Sequence, residues 1–253
     1  DEWKAAIKPN TKLFFLETPS NPLGEVADLE ALAELAHSIG ALLVVDNSLL
    51  SPAGSQPLKH GADISVSSAT KAIDGHGRVM GGVLAGSEEL MTQVAMYCNS
   101  CGLAMSPFNA WQLLSGVETL SLRMEKQFDN ALKIAQWLQQ QPQVQAVYYT
   151  GLPDHPQAEL IRKQQNGGGI VIGFEVADQE AAWKVVDGVE LFSRTANLGD
   201  VRSTITHPWT TTHGRMQPEE KLAANIRPGL VRLSVGLEYV DDLIEDLKQA
   251  LNK

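Results

Sequence analysis

No apolar run in this 253-residue chain approaches the roughly 18 residues that a membrane-spanning helix needs, so no span is expected. Basic residues are also scarce, 20 Lys and Arg against 30 Asp and Glu, for a formal charge of −10. Proteins that bind nucleic acid without sequence preference neutralise phosphates with a basic face, so that class is not expected. A local pocket for one anionic ligand remains open. Cysteine is nearly absent: Cys98 and Cys101 form one C-x-x-C, and no second Cys or His pair follows at zinc-finger spacing. No metal is expected, and two reduced thiols in a cytoplasmic protein are. The opening residues Asp1-Glu2-Trp3-Lys4 lack the charged-then-apolar pattern of a signal peptide and an initiator methionine. The expectation is a chain that begins inside a longer polypeptide. Repeats and low-complexity tracts are missing too.

What is present is ordinary globular composition, 43% hydrophobic and 20% charged. The length suits one large domain or two smaller ones. Residues 13–16 are an apolar run of strand length that ends in the turn-rich Glu17-Thr18-Pro19-Ser20-Asn21-Pro22. A helix is expected from Asp28, with Leu29, Leu32, Ala33, Leu35, Ala36 and Ile39 at helical spacing and Gly40 as its stop. Residues 41–45 are apolar at every position, the pattern of a strand in a sheet covered on both sides, usually a parallel one. Strand–helix–strand is the unit of an open α/β sheet.

Further on, residues 56–60 read as a turn or short helix, and 64–67 and 81–85 as strands. Residues 107–140 read as one or two helices, interrupted by Pro142 and Gly151-Leu152-Pro153. After that the pattern shifts: strand 170–176, helix 179–186, strand 230–235 and a closing amphipathic helix 240–251. The apolar–polar alternation in 230–235 predicts an antiparallel sheet with one solvated face. The expected division is a mostly parallel large domain over 1–130 and a smaller α+β domain over 131–253.

Ligands in open parallel sheets sit outside the carboxyl ends of the strands, and Asn21, Asp46 and Lys71 all follow such ends. Lys71 closes Ser67-Ser68-Ala69-Thr70-Lys71 and is followed by Gly75-His76-Gly77. A lone lysine is usually a solvated charge. A desolvated one is nucleophilic and forms imines with aldehydes, and the partnership with Asp46 favours that reading. Asp46, at the end of an apolar strand, is either a turn residue or the counter-charge of a protonated ring nitrogen. Ser68 and Thr70 either cap a turn or donate to a phosphate. Arg232 is either an exposed edge charge or a bidentate clamp for a carboxylate. His207 and His213 lie in the polar loop Thr206-His207-Pro208-Trp209-Thr210-Thr211-Thr212-His213-Gly214-Arg215, which reads as a substrate-facing loop more than a metal site, because no carboxylate stands at helical spacing from them. A lysine, an acid and hydroxyl donors are the anchors that pyridoxal phosphate asks of a protein.

These segments resemble the Cys/Met-metabolism family of pyridoxal-phosphate enzymes, of aspartate-aminotransferase-like fold (fold type I). The matching stretches are Glu17-Thr18-Pro19-Ser20-Asn21-Pro22, Val44-Val45-Asp46-Asn47, Gly61-Ala62-Asp63-Ile64, Ser67-Ser68-Ala69-Thr70-Lys71, Gly75-His76-Gly77, Gly81-Gly82, Ser106-Pro107-Phe108-Asn109-Ala110-Trp111 and Val231-Arg232-Leu233-Ser234-Val235-Gly236-Leu237-Glu238. They run in order over nearly the whole chain. The resemblance implies that Lys71 holds the cofactor aldehyde, Asp46 pairs with its ring nitrogen, and Ser68 and Thr70 bind its phosphate. It also implies that Asn21 lies near the ring hydroxyl and substrate, and that Arg232, with the backbone around Asn197, binds the substrate carboxylate. Many members carry Ser at the position of Asn197.

Family members also have an N-terminal part with a glycine-rich phosphate loop and a ring-stacking tyrosine. This chain therefore resembles their C-terminal part. The loop Asn197-Leu198-Gly199-Asp200 followed by Thr206-His207-Pro208 is most similar to the branch that performs γ-replacement on an O-acylated homoserine with sulfide or a thiol. Branches that make or cleave cystathionine or methionine, and a non-catalytic oligomerisation fragment, are the alternatives. A homotetramer with active sites shared between subunits is the implied assembly.

Overall fold

The computed structural model describes residues 2–253. After a short helix α1 (Glu2–Ala6), strand β1 (Leu13–Glu17), helix α2 (Leu29–Ser38) and strand β2 (Leu42–Asp46) form the expected strand–helix–strand unit. Asp28 caps α2 by accepting from the Ala31 N–H, and Gly40 turns out of the helix at φ +70°. A short helix α3 (Ser51–Gly54) and a 3-10 turn at Pro57–His60 lead to β3 (Ile64–Ser68). β4 (Gly82–Gly86) follows a π-helical turn at Ala69–Ile73. The sheet order is β1-β2-β3-β4, with β1, β2 and β3 parallel and β4 antiparallel.

α2 covers one face of this sheet, where Phe14, Leu16, Leu29, Ala36, Leu43 and Val45 are buried together. Val44 is buried on the opposite side of β2, as its all-apolar sequence predicts. On β1 that opposite side is open: Leu13 and Phe15 are 47% and 56% exposed. Parallel pairing puts the carboxyl ends of β1, β2 and β3 on one rim, with Glu17 beside Asp46 and Asp46 beside Val66 in register.

α4 (Glu88–Cys101), α5 (Pro107–Glu118) and α6 (Leu120–Leu138) come next, so residues 107–140 make two helices that divide at Thr119. α6 joins two cores. Its first turns, at Leu120 and Met124, pack with Ala69, Ala72, Ile73 and Val79 near the π-helical turn. Its last turns, at Ala131, Ile134, Ala135 and Leu138, pack beneath the second sheet.

That second sheet has the order β5-β6-β9-β8-β7. In chain order its strands and helices are β5 (Ala146–Tyr148), α7 (Ala158–Gln164), β6 (Val171–Glu175), α8 (Gln179–Gly188), β7 (Ser193–Arg194), β8 (Thr204–Thr206), α9 (Pro218–Ala223), β9 (Leu230–Ser234) and α10 (Val240–Leu251). All neighbours pair antiparallel except β7 with β8.

The structure corrects one expectation here. The alternation along 230–235 predicts a solvated face, yet every residue of β9 is buried. β9 is the central strand, hydrogen-bonded to β6 and β8, so neither edge is free. Val231, Leu233 and Val235 enter the core beneath α8 and α10. Arg232 and Ser234 point to the other side, where the first sheet's rim and the 196–200 loop cover them. The alternation marks a difference of environment between two buried faces. It does not mark water.

Candidate functional site

Lys71 lies in the middle of the π-helical turn and departs from helical geometry at φ −88°, ψ −126°. The backbone around it is held from several directions. The Gly75 N–H donates to the Lys71 carbonyl at 2.8 Å. Arg123, only 5% exposed on α6, donates from Nη1 to the Ala72 carbonyl (2.7 Å) and from Nη2 to the carbonyls of Ile73 (3.1 Å) and Gly116 (2.7 Å). Asp74, fully buried, closes the turn by pairing with Arg78 at 2.8 Å and accepting from the N–H groups of His76 and Arg78. Gly199 packs directly on this segment at φ +88°. A Cβ there would stand 2.7 Å from the Ala72 nitrogen and 2.9 Å from Lys71 Cβ.

The Lys71 amine is half-buried and donates to Asn197 Oδ1 at 3.3 Å. Burial pushes its pKa down, the Arg232 charge pushes it further down, and Asp200 opposes both. Asn197 Nδ2 in turn donates to Asp200 Oδ2 at 2.9 Å.

Asp46 ends β2, and its Oδ1 accepts from the backbone N–H (2.9 Å) and hydroxyl (2.5 Å) of Ser48. The Ser48 hydroxyl also accepts from the Ser68 N–H at 2.7 Å, so one serine ties the acid's strand to the lysine's strand. The Thr70 hydroxyl is shared with Gly81: it accepts from the Gly81 N–H at 3.0 Å and donates to the Gly81 carbonyl at 3.3 Å.

Arg232 is 2% exposed on β9. It donates from Nη1 to Asn21 Oδ1 (3.4 Å) and from Nη2 to the Ala196 carbonyl (2.7 Å), while its buried Nε has no partner. Burial pushes its pKa down to about 10, against the pull of Glu17. No carboxylate forms an ion pair with it among the described residues. A buried guanidinium without a counter-charge is costly, and an arriving anion removes that cost. Glu17, next to Asn21, is raised by burial and by Asp46, and is pulled back by the Asn21 N–H, to which it is bonded, and by Arg232. Arg232 therefore acts electrostatically on Lys71 and on Glu17, and Asp46 acts on Glu17. All seven residues singled out from the sequence, Asn21, Asp46, Ser68, Thr70, Lys71, Asn197 and Arg232, belong to one neighbourhood.

A family model described as Cys/Met metabolism PLP-dependent enzyme matches residues 1–252. The chain belongs to that family. Over 250 residues it is 53% identical to O-succinylhomoserine sulfhydrylase of Pseudomonas aeruginosa, covering 98% of this chain and 62% of that protein. It is 44% identical to L-methionine gamma-lyase of Porphyromonas gingivalis over 256 residues, covering 100% of this chain and 64% of the lyase. The crystal structure of metB from Corynebacterium glutamicum superposes with a TM-score of 0.94 at 40% identity, over 99% of this chain and 65% of that one. The chain thus spans less than two thirds of the length of these relatives. Its family fold is the expected α/β fold type I.

The residues present fit the family's cofactor. A desolvated amine, a strand-end carboxylate with only Oδ1 engaged, and hydroxyls at the start of the next turn are the groups pyridoxal phosphate requires. Other residues escaped the sequence reading. Arg123 falls on the buried stripe of α6 with Leu120, Gln127 and Ala131, so an arginine on an otherwise buried face was the available signal. Ser48 and Glu17 gave none, being ordinary loop and strand-end polar residues.

His207 is 2% exposed and takes a structural part. Trp183 Nε1–H donates to its Nδ1 at 3.1 Å, which leaves Nε2–H to donate to the Pro228 carbonyl at 2.7 Å. Both ring nitrogens are thus engaged within the protein. His213 lies nearer the site, where burial and the charges of Arg232 and Lys221 lower its pKa.

Proposed function

We propose that the polypeptide containing this chain catalyses γ-replacement on an O-acylated homoserine, with sulfide or a small thiol as the incoming nucleophile. The observation that carries the reading is Arg232: a buried guanidinium, without a carboxylate partner, beside a desolvated lysine amine. That pairing suits an α-amino acid, whose carboxylate meets the guanidinium while its Cα faces the amine. The 53% identity to a sulfhydrylase favours replacement over elimination.

Pyridoxal phosphate, when bound, supplies the electron sink that stabilises negative charge at the substrate's Cα. Lys71 would hold it covalently, Asp46 would pair with its ring nitrogen, Asn21 would serve its ring hydroxyl, and Ser68 and Thr70 would hold its phosphate. The Thr70 bond to the Gly81 carbonyl is long for a hydroxyl donor at 3.3 Å and gives way to an anion. Arg232, with Asn197 and Asn21, binds the substrate carboxylate. The Lys71 amine takes the proton from substrate Cα and then one from Cβ, a role for which its depressed pKa suits it. The electron pair left at Cβ expels the γ-acyloxy group as the carboxylate; sulfide then adds at Cγ, and protons return to Cβ and Cα to give the γ-thiol.

We assign residues 1–130 to the large cofactor-binding domain and 131–253 to the small one. We place the enzyme in the cytoplasm as a homotetramer with shared sites. Incubation of the holoenzyme with O-succinyl-homoserine and sulfide is expected to yield homocysteine and succinate. Formation of 2-oxobutanoate and ammonia without homocysteine would instead support γ-elimination. Full turnover by a Lys71→Ala variant would overturn the assignment of the amine.

A further inference from the structure

Asp200 has no part in the roles assigned above, yet it is built into the site. Its Oδ2 accepts from Asn197 Nδ2 at 2.9 Å, while Oδ1 is buried and unpartnered. An amide has one donor end and one acceptor end. Fixing the donor end on Asp200 forces Oδ1 of Asn197 outward, and that oxygen is the one 3.3 Å from Lys71 Nζ.

The segment carrying both residues is pinned on every side. Gly199 N–H donates to Ser234 Oγ at 3.0 Å, Gln127 Nε2 donates to the Asp200 carbonyl at 3.0 Å, and Val201 N–H donates to the Gly75 carbonyl at 2.7 Å. Gly77, at φ +63°, closes over the carboxylate: a Cβ there would lie 2.8 Å from Asp200 Oδ2. The chain has thus fitted a glycine loop around a carboxylate that serves no ion pair among the described residues.

We propose that Asp200 is a positioning residue for the lysine amine, acting through Asn197: it holds the donor end of that amide, so that Lys71 always meets the acceptor end. The inference rests on the assignment of Lys71 given above but concerns only this chain's own groups. The charged groups facing Lys71 are Arg232 from β9, which favours the neutral amine, and Asp200 from the loop before β8, which favours the ammonium. Asp200 in turn faces Asp74 and Arg202 as well as Lys71.

The test uses the cofactor-free protein, so it reads the amine and not turnover. Trace labelling with acetic anhydride across pH 7–10, followed by peptide mass spectrometry, reports how readily Lys71 reacts. Asp200→Asn puts an amide, able to donate or accept, where only an acceptor stood, so the Asn197 amide is no longer fixed; it is expected to speed Lys71 labelling at pH 8 by at least about twofold, because the ammonium loses its steady acceptor. Asn197→Ala breaks the bridge and is expected to do the same. The double variant should gain little beyond either single one, since both act through one link. Unchanged or slower labelling in the single variants, or fully additive effects in the double, would overturn the proposal. Should Asp200→Asn fail to fold by circular dichroism, Asn197→Ala alone decides: no acceleration refutes the link. Failure of the lysine assignment is read separately, from where reductive trapping of the cofactor lands.

Discussion

Single side chains in this protein carry charge where solvent cannot reach it, and that has consequences for pH. Lys71 and Arg232 both have pKa values depressed by burial. A base whose folded pKa lies below its unfolded one binds fewer protons when folded. Each of these therefore destabilises the folded chain at neutral pH, and the penalty fades as pH rises through the folded pKa toward the unfolded one. Lys71→Met is accordingly expected to raise the melting temperature of the cofactor-free chain at pH 7, with a smaller gain at pH 10; calorimetry at the two values checks it. Arg232→Ala is expected to raise KM for the amino-acid substrate about 30-fold or more, as loss of a buried charge partner costs roughly 2–5 kcal/mol. Steady-state kinetics of the holoenzyme would show it, and an unchanged KM would remove the carboxylate role.

Asp46 and Arg232 stood out in the sequence because one ends an apolar run and the other interrupts one, and Lys71 because hydroxyl residues and a glycine-rich stretch flank it. The state of Arg232 was not. An alternating strand looks the same whether its polar face meets water or another domain, and only the position of β9 between β6 and β8 decides which. The burial of His207 was equally illegible: its partners Trp183 and Pro228 are 24 and 21 residues away in the chain.

Among the elements, the π-helical turn at Ala69–Ile73 is the one most dependent on others. Arg123 satisfies three backbone carbonyls in and near it. Arg123→Met would strand those acceptors, and buried unsatisfied groups cost about 1–3 kcal/mol each. A stability loss of roughly 3 kcal/mol or more in urea titration is expected. Gly199→Ala meets both a left-handed backbone and the Lys71 backbone at under 3 Å. It is expected to lower kcat far more than a distant surface Gly→Ala substitution, such as Gly102→Ala, whose added Cβ meets nothing within 4 Å.

Element boundaries followed the hydrophobic period closely for α2, β2 and α10, where amphipathic or wholly apolar patterns are long. The short β5, β7 and β8 went unread. Segments of two or three residues have no period of their own and owe their conformation to the neighbours they pair with.

At the scale of the whole molecule, the first sheet ends in two edge strands, β1 and β4, and apolar side chains beyond it stay open to solvent. Leu84, Met96, Trp111 and Leu114 are 45%, 59%, 61% and 62% exposed. Apolar exposure of that kind marks association surfaces, and it accords with the tetramer proposed above. Sedimentation of the full polypeptide is expected to give four copies, and Trp111→Glu to shift the population toward smaller species. Neither sheet alone makes the site. β1, β2 and β3 bring Asn21, Asp46 and Lys71 to one rim, and β9 brings Arg232 against it across the 196–200 loop.

Every role proposed for the site depends on the amine of Lys71, so the most direct measurement is borohydride reduction of the full polypeptide loaded with pyridoxal phosphate, followed by peptide mapping. A single reduced pyridoxyl adduct on Lys71 is the predicted result. An adduct on a different lysine, or none in a catalytically active preparation, would contradict it.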